Sequence, residues 1–166
     1  MQRLWAPWRM AYVTGERPEG CVFCDARKQP VESHILYQSE HCFAILNRFP
    51  YNNGHTMVVP NEHLDDLLQL SQEQLEDMMD LAQGVVEALK ACMRAEGINL
   101  GMNVGQVAGA GIDDHLHLHV VPRWQGDTNF LTAIGETRVV PQALEACFAT
   151  MEPALREIMK RRRAGS

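Results

Sequence analysis

The chain has 166 residues, of which 46% are hydrophobic and 22% charged, a composition typical of one globular domain with its own core. Its net charge of −6 argues against broad nucleic-acid binding, and no apolar run approaches the length of a membrane span. Five cysteines, an odd number, without a secretory signal predict a reducing, cytoplasmic location.

The first motif is "CVFC", formed by Cys21 and Cys24, which follows an irregular N-terminal arm at residues 1–20. A CxxC pair has three interpretations: a redox pair, half of a zinc site, or coincidence. The turn-rich stretch before it weakens the redox interpretation, which needs a preceding strand. Zinc favours four nitrogen or sulfur ligands, and His63 and His115 are the candidates for the other two.

Three strands are predicted next. Residues 34–39 and 42–47 form an antiparallel pair with a tight connection, and residues 55–60 follow the turn signal "NNG". Pro60 ends the third of these strands because proline cannot donate a ladder hydrogen bond.

A long helix is predicted over residues 72–96. Ser71 and Gln74 form a capping box at its start, and Gly97 is expected to end it. Apolar residues recur through it at helical spacing: Leu75, Met78, Met79, Ala82, Val85, Val86, Leu89 and Met93.

The second half of the chain adds a strand at 98–105, a glycine-rich link at 108–111 and the histidine run described below. After a loop, Pro141 is expected to start a C-terminal helix that Pro153 kinks. The inward side of this helix is predicted to carry Leu144, Phe148, Met151, Leu155 and Ile158. The predicted fold class is α+β, an antiparallel sheet with helices packed against it.

The histidine run is "DDHLHLHVVPRW", residues 113–124. Its period of two predicts a strand on which His115, His117 and His119 share one face, roughly 7 Å apart, while the intervening apolar residues face the core. A solvated face would normally mix Thr, Lys, Ser and Glu, so a metal site, a catalytic site or both are favoured. One catalytic ion held by all three histidines is disfavoured, because side chains that far apart converge poorly.

The pattern "HLHLHVV" resembles the signature of the histidine-triad (HIT) superfamily, which comprises nucleotidyl hydrolases and transferases. The resemblance covers residues 21–124 through "CVFC", "NRFPYNNGHTMVVPNEH" and "NVGQVAGAGIDDHLHLHVVPRW". The flanking "LWAPWRMAYV" and "PRWQGDTNF" resemble the branch related to diadenosine tetraphosphate phosphorylases. We expect a single HIT domain over 1–166, with the core at 21–124 and a C-terminal loop and helix at 125–166.

The resemblance implies a role for each histidine. His117 is the expected nucleophile, which forms a nucleotidyl-histidine intermediate. His119 is expected to assist the leaving group, and His55 to lie beside the active site. A structural zinc is expected on Cys21, Cys24, His63 and His115.

A nucleotide pocket is also implied by the resemblance. Four residues are expected to hold the base, with ordinary core packing as the alternative: Val22, Phe23, Ile45 and Leu46. Asn47 is expected at the ribose hydroxyls, where the family often has aspartate. Asn103, Gly105 and Gly109 match the phosphate-binding stretch, where small residues let backbone N–H groups approach an anion.

Two departures from the family leave open whether water or inorganic phosphate accepts the nucleotidyl group. Many hydrolases and phosphoramidases carry Gln-Ser where this chain has Ala110-Gly111, and phosphorylases often carry glutamine where it has His119. An acidic chain that binds polyphosphate also needs local positive charge. Arg48, Lys28 and Arg123 are the candidates.

Three functions follow as hypotheses. The first is cleavage of dinucleoside polyphosphates through a nucleotidyl-histidine, with water or inorganic phosphate as acceptor. The second is a purine nucleoside phosphoramidase, and the third is a non-catalytic nucleotide-binding sensor or interaction module. The expected partners are the nucleotide substrate and a second copy of the chain docked through helix 72–96, with neither nucleic acid nor membrane.

The three tryptophans lie outside the motifs. Trp5 and Trp8 belong to the arm, and Trp124 opens the segment "RWQGDTNF" at 123–130. Two alternatives stay open: these indoles staple the arm onto the core, or the arm and this segment wall the pocket and hold the leaving nucleotide.

Overall fold

The computed structural model describes residues 20–109, 111–127 and 142–165. Its strands and helices, numbered in chain order, are α1 Val22–Ala26, β1 Ile35–Gln38, β2 Cys42–Leu46, β3 Thr56–Pro60, α2 Gln72–Met93, β4 Gly97–Met102, β5 Leu118–Arg123 and α3 Leu144–Ala164. Short 3₁₀ turns lie at Leu67–Gln69 and Gln106–Ala108. None of the helices in these ranges is long and apolar enough to cross a bilayer.

The five strands form one antiparallel sheet in the order β1-β2-β3-β5-β4. This confirms the predicted α+β class. Strand β5 is inserted between β3 and β4, so that His119 lies opposite Met57 on one side and Gly101 on the other. Strand β5, which forms the second half of the histidine run, therefore lies inside the sheet rather than at its edge.

The two faces of the sheet bury different clusters. Alternation along β2 directs Leu46 toward the main core, which α2 and α3 cover, and directs Ile45 toward a smaller cluster with Phe23 of α1. Leu116 and Leu118 lie in the main core, as predicted. The histidine side of the sheet is therefore the side that α1 covers.

Helix α2 begins as predicted and ends earlier. The Ser71 side chain accepts the Gln74 N–H at 3.2 Å, and the Gln74 side chain accepts the Ser71 N–H at 2.8 Å. The predicted end at Glu96 is wrong, because Arg94 takes the left-handed conformation with φ 54° and its N–H bonds to the Leu89 carbonyl. The chain is thereby turned so that β4 already starts at Gly97.

The strand predicted at 113–124 is wrong in its first half. The Leu116 N–H donates to the Leu64 carbonyl at 2.6 Å, so this backbone pairs with the segment after His63 rather than with a strand. The ladder starts only at Leu118. The strand predicted at 98–105 likewise ends at Met102.

Helix α3 is described from Leu144 onward, and Pro141 lies outside the described residues. The helix continues through Pro153, and Met151, Leu155 and Ile158 are buried as predicted. Leu144 and Phe148 pack partly buried against the same core.

Candidate active site and metal-binding cluster

Gly54 positions His55 immediately before β3. Its φ of +79° is one that residues with a side chain rarely adopt, and an added Cβ would lie 2.7 Å from Met93 Sδ and 2.9 Å from Leu89 Cδ2. The positive φ and the close approach to helix α2 both favour glycine at this position of the turn "NNGH". The buried side chain of His55 is held at the site as a result.

His117 has one of its nitrogens fixed by the backbone. Its Nδ1 lies 2.9 Å from the His115 carbonyl oxygen, which can only accept, so Nδ1 carries the proton. In the neutral ring, Nε2 then bears the lone pair. Burial lowers the pKa of His117, which favours this neutral form. The arrangement yields an imidazole with one nucleophilic nitrogen of defined position.

His55 and His119 are oriented by a chain of hydrogen bonds that begins at Tyr51. The Tyr51 backbone N–H donates to His55 Nδ1 at 3.0 Å, which places the proton of a neutral His55 on Nε2. His55 Nε2 lies 3.0 Å from His119 Nδ1, which therefore accepts. The remaining proton of His119 lies on Nε2, where it can be donated to a substrate.

Burial, followed by the charge of His117, lowers the pKa of His119 to about 4. His119 is thus a neutral hydrogen-bond donor near pH 7. Its ring centroid lies 4.7 Å from that of His117, close enough for the two to act on neighbouring atoms of one substrate.

The four predicted metal ligands lie together. Their ligand atoms are all within 4.8 Å of one another. Cys21 Sγ lies 3.1 Å from His115 Nδ1, and Cys24 Sγ lies 3.5 Å from His63 Nδ1 and 3.7 Å from His115 Nδ1. Donors around a tetrahedral zinc ion are about 3.3–3.8 Å apart, so this set suits such an ion.

The surroundings of His115 favour metal binding as well. Its Nε2 lies 3.0 Å from the Pro60 carbonyl oxygen and so carries the proton, which leaves the Nδ1 lone pair for an ion. Burial is the largest cause that lowers the pKa of His115, and it keeps the ring neutral.

The residues predicted to contact the base lie on both faces of the sheet. The Phe23 ring lies 5.2 Å from the ring of His117, and Ile45 belongs to the same buried cluster as Phe23. Val22 is partly exposed beside them. Leu46 faces the opposite core. A role of these four residues in nucleotide binding stays a prediction.

The polar residues predicted for ribose and phosphate lie on two loops. Asn47 Oδ1 accepts the Phe49 N–H at 2.9 Å, and its Nδ2 lies 3.3 Å from His55 Nδ1. Gly105 and Gly109 are exposed, have positive φ, and would leave an added Cβ in open space. Asn103 lies half-buried just after β4. Their contacts with a ligand stay a prediction.

Two of the three candidate cations are already paired. Arg123 Nε and Nη2 bind the Asp127 carboxylate at 2.5 and 2.8 Å, and Lys28 pairs with Asp25 at 2.6 Å. Arg48 is exposed and forms no ion pair with any residue that the structure describes. Arg48 is thus the candidate with its charge available.

Trp124 packs against the main core, and its Nε1 donates to the Met93 carbonyl at 3.2 Å, at the end of α2. These contacts favour the structural alternative for this indole. Trp5, Trp8 and residues 128–130 lie outside the described residues.

Tyr51 is a residue that the sequence did not single out. Its ring centroid lies 4.6 Å from that of His55 and 5.7 Å from that of His119. The only available signal was the aromatic pair in "FPYNNGH" just before a histidine, which does not by itself indicate a stacked arrangement.

Comparisons with known proteins agree with this geometry. The family model of the HIT domain matches residues 28–126. An AP-4-A phosphorylase of Mycobacterium tuberculosis is 37% identical over 158 residues, covering 87% of this chain and 79% of the relative. A zinc-bound histidine triad family protein of Mycobacterium smegmatis has a TM-score of 0.71 and 30% identity, over 86% of this chain and 97% of that one. A diadenosine triphosphate hydrolase of Plasmodium falciparum, at 16% identity and a TM-score of 0.60 over 78% of each chain, shares the fold.

Proposed function

The chain belongs to the HIT family of nucleotide hydrolases and transferases, and we propose that it cleaves dinucleoside polyphosphates of the diadenosine tetraphosphate type. The observation that carries the proposal is the pair of fixed nitrogens, an unprotonated Nε2 on His117 beside a protonated Nε2 on His119. The first can attack phosphorus while the second donates to the departing oxygen. The similarity to the AP-4-A phosphorylase supports the substrate class.

The first step forms a covalent intermediate. His117 Nε2 attacks the phosphorus of one nucleotide, a P–N bond forms, and the P–O bond to the rest of the substrate breaks. The ring becomes cationic, and the His115 carbonyl, which accepts the Nδ1–H, stabilises that charge. His119 need only donate a hydrogen bond, because a phosphate leaving group is stable as an anion near neutral pH.

The second step releases the product. Water or inorganic phosphate attacks the same phosphorus and releases a proton to solvent, the P–N bond breaks with its electron pair returning to Nε2, and neutral His117 is restored. Throughout, backbone N–H groups of the 103–109 loop and the exposed guanidinium of Arg48 are expected to bind the phosphate oxygens. Phe23, Ile45 and Val22 are expected to contact the base, with Leu46 behind them, and Asn47 the ribose.

A structural zinc ion is proposed for Cys21, Cys24, His63 and His115. The donor distances support it, as does the zinc-bound relative. Four protein ligands leave no position for a reacting water, so the ion would cross-link the chain rather than catalyse. His115 would then hold the backbone carbonyl that orients His117.

The assay that tests this function mixes the metal-loaded protein with diadenosine tetraphosphate, with and without inorganic phosphate, and identifies the products. ADP plus ATP formed only with phosphate means a phosphorylase. AMP plus ATP, or two ADP, formed without phosphate means a hydrolase. Absence of cleavage together with turnover of an AMP-amide would replace the proposal with a phosphoramidase, and absence of both with a binding module.

The assembly and location follow as parts of the same proposal. A homodimer through α2 is supported by the exposed apolar side chains of Leu75 and Met79 on that helix. A cytoplasmic location is supported by five free thiols, two of which lie in the metal cluster.

A further inference from the structure

Two aromatic side chains lie exposed on the loop before His55. Phe49 is 40% and Tyr51 43% exposed, although their neighbours in the loop, such as Asn47 and Asn52, are polar. A single exposed apolar residue is ordinary. Two exposed aromatics two residues apart, next to His55 and His119, are the kind of surface on which a flat ligand can stack.

The Tyr51 ring covers the two histidines that handle the leaving group. It is inclined by 34° to the His55 ring and by 38° to the His119 ring, with centroids 4.6 and 5.7 Å away. These are the separations and tilts of packed aromatic rings. Tyr51 thus lies directly beside the imidazole whose Nε2–H meets the departing oxygen.

Whatever is attached to the departing oxygen must leave the site past His119 and so past Tyr51. In a dinucleoside polyphosphate that group is a second nucleotide with a flat base and several negative charges. An exposed aromatic ring can stack on any base, and a guanidinium binds phosphate oxygens. Arg48 is exposed on the same loop as Phe49 and Tyr51, so its guanidinium is within the same stretch of chain.

We propose that Tyr51, assisted by Phe49 and Arg48, forms a subsite for the leaving nucleotide, in which the second base stacks on the Tyr51 ring. The subsite rests on the proposed function, since it presumes that His119 faces the departing group. It makes the second base a determinant of specificity. The loop residues Asn103, Gly105 and Gly109 and the Phe23 cluster belong to the other, transferred nucleotide.

A purely supporting role for Tyr51 makes a different prediction. If its ring only shields His55 and His119, its loss slows every substrate alike. If it binds the second base, its loss slows only substrates that carry one. Diadenosine tetraphosphate carries a second nucleoside and adenosine 5′-tetraphosphate does not, and both can lose the same adenylyl group.

The experiment measures kcat/KM for both substrates in the wild type, Tyr51→Leu and Tyr51→Phe. The readout is the ratio of the two values within each protein, so a general loss of activity or partial unfolding cancels. Tyr51→Leu is expected to lower the ratio by about fivefold or more, the effect of one lost base stack. Tyr51→Phe keeps the ring and is expected to hold the ratio within about twofold of wild type.

A ratio unchanged in Tyr51→Leu would overturn the subsite, and so would a wild-type ratio near one. Calorimetric binding of both nucleotides to His117→Ala and to His117→Ala/Tyr51→Leu separates this proposal from the function. Tighter binding of the dinucleotide that is lost with Tyr51 supports the subsite even if the wild type cleaves neither substrate. Equal binding of both nucleotides to His117→Ala overturns it even if cleavage occurs.

Discussion

At His117, one hydrogen bond decides which nitrogen can react. The His115 carbonyl, 2.9 Å from Nδ1, fixes the proton on that atom and leaves Nε2 as the nucleophile. No other atom of the ring is available for attack without breaking this bond. Reactivity at this position therefore requires the neutral ring, which the lowered pKa of His117 favours.

We expect His117→Ala to lower kcat at least about 1,000-fold, because it removes the atom that forms the intermediate. Binding of diadenosine tetraphosphate should change little, since the base, ribose and phosphate contacts remain. Steady-state kinetics and calorimetry measure the two effects. Near-normal turnover by the variant would rule out the covalent scheme.

His119 links folding to pH. Burial and the neighbouring His117 lower its pKa to about 4, whereas a histidine in an unfolded chain titrates near about 6.5. Between these values the unfolded chain binds a proton that the folded chain does not. Protonation of His119 in the unfolded chain therefore lowers the free energy of unfolding as the pH falls from about 6.5 to about 4. Below about pH 4 both states are protonated, and His119 lowers the free energy of unfolding no further.

The test is denaturant unfolding of wild type and His119→Gln at several pH values. Glutamine does not titrate, so the variant should lose stability less steeply over the same range. The difference between the two curves reports His119 together with its interaction with His117, because all other histidines are common to both proteins. Parallel curves would contradict the lowered pKa.

The site was predictable from sequence only as residue types. The spacing of His115, His117 and His119 indicated a reactive or metal-binding cluster, and four ligands could be named. Protonation sites were beyond reach, because they depend on the His115 and Pro60 carbonyls and on the Tyr51 N–H. None of these backbone groups has a sequence signature.

At the scale of elements, the turn before β3 joins the active site to helix α2. Gly54 combines a positive φ with contacts to Met93 and Leu89. Gly105, also at positive φ, would leave an added Cβ in open space. Comparing the same substitution at the two glycines therefore distinguishes the cost of backbone strain from the cost of steric overlap.

Gly54→Ala should lower the free energy of unfolding by about 2–4 kcal/mol, from strain and overpacking together. Gly105→Ala should cost about 1 kcal/mol, from strain alone. Chemical denaturation of both variants measures the difference. Equal losses would show that the close approach of Gly54 to α2 has no energetic consequence.

The metal cluster connects α1 and the segment after β3 to the histidine run. Cys21→Ser should abolish stoichiometric zinc and lower stability by about 3 kcal/mol or more, the contribution of a ligand held at about a hundred times its Kd or above. Elemental analysis and thermal unfolding provide the readouts. Cys92→Ser is the matched control, since the hydrogen bonds of Cys92 within the described residues go to Ala88 and Met151 and it lies outside the cluster.

Wild type and Cys92→Ser should both be destabilised by a chelator, whereas Cys21→Ser should not respond. Purified wild-type protein without stoichiometric zinc would refute the site.

The bounds of helices and strands were predicted well where the local sequence determines them. They were predicted poorly where hydrogen bonds to distant parts of the chain determine them. The Ser71 capping box and the apolar period fixed the start of α2. Its end depended on Arg94, a residue with no preference for the left-handed conformation. Residues 113–117 alternate like a strand, but the Leu64 carbonyl takes the hydrogen bond that a strand would have used.

At the scale of the whole molecule, helix α2 has one face in the core and carries apolar residues outside it. Leu75 and Met79 are 38% and 45% exposed, whereas Met78 and Leu81 are fully buried. Complete burial of such a side chain is worth about 1.5–3 kcal/mol, and because Leu75 and Met79 are already more than half buried, a partner that covers the rest would add about 1 kcal/mol each. The helical spacing of apolar residues therefore explains the face of α2 that is buried in the core, but it does not explain why Leu75 and Met79 are apolar.

A second copy of the chain is the expected occupant, so light scattering at micromolar concentration should give twice the chain mass of 18.7 kDa. Met79→Lys places a charge in the proposed interface and should shift the population toward monomer, because an unpaired buried charge is costly. Val31→Lys is the control, since Val31 is 75% exposed in the turn before β1 and far from α2 in sequence. A mass of 18.7 kDa for the wild type, or equal masses for both variants, would show that α2 is not the interface.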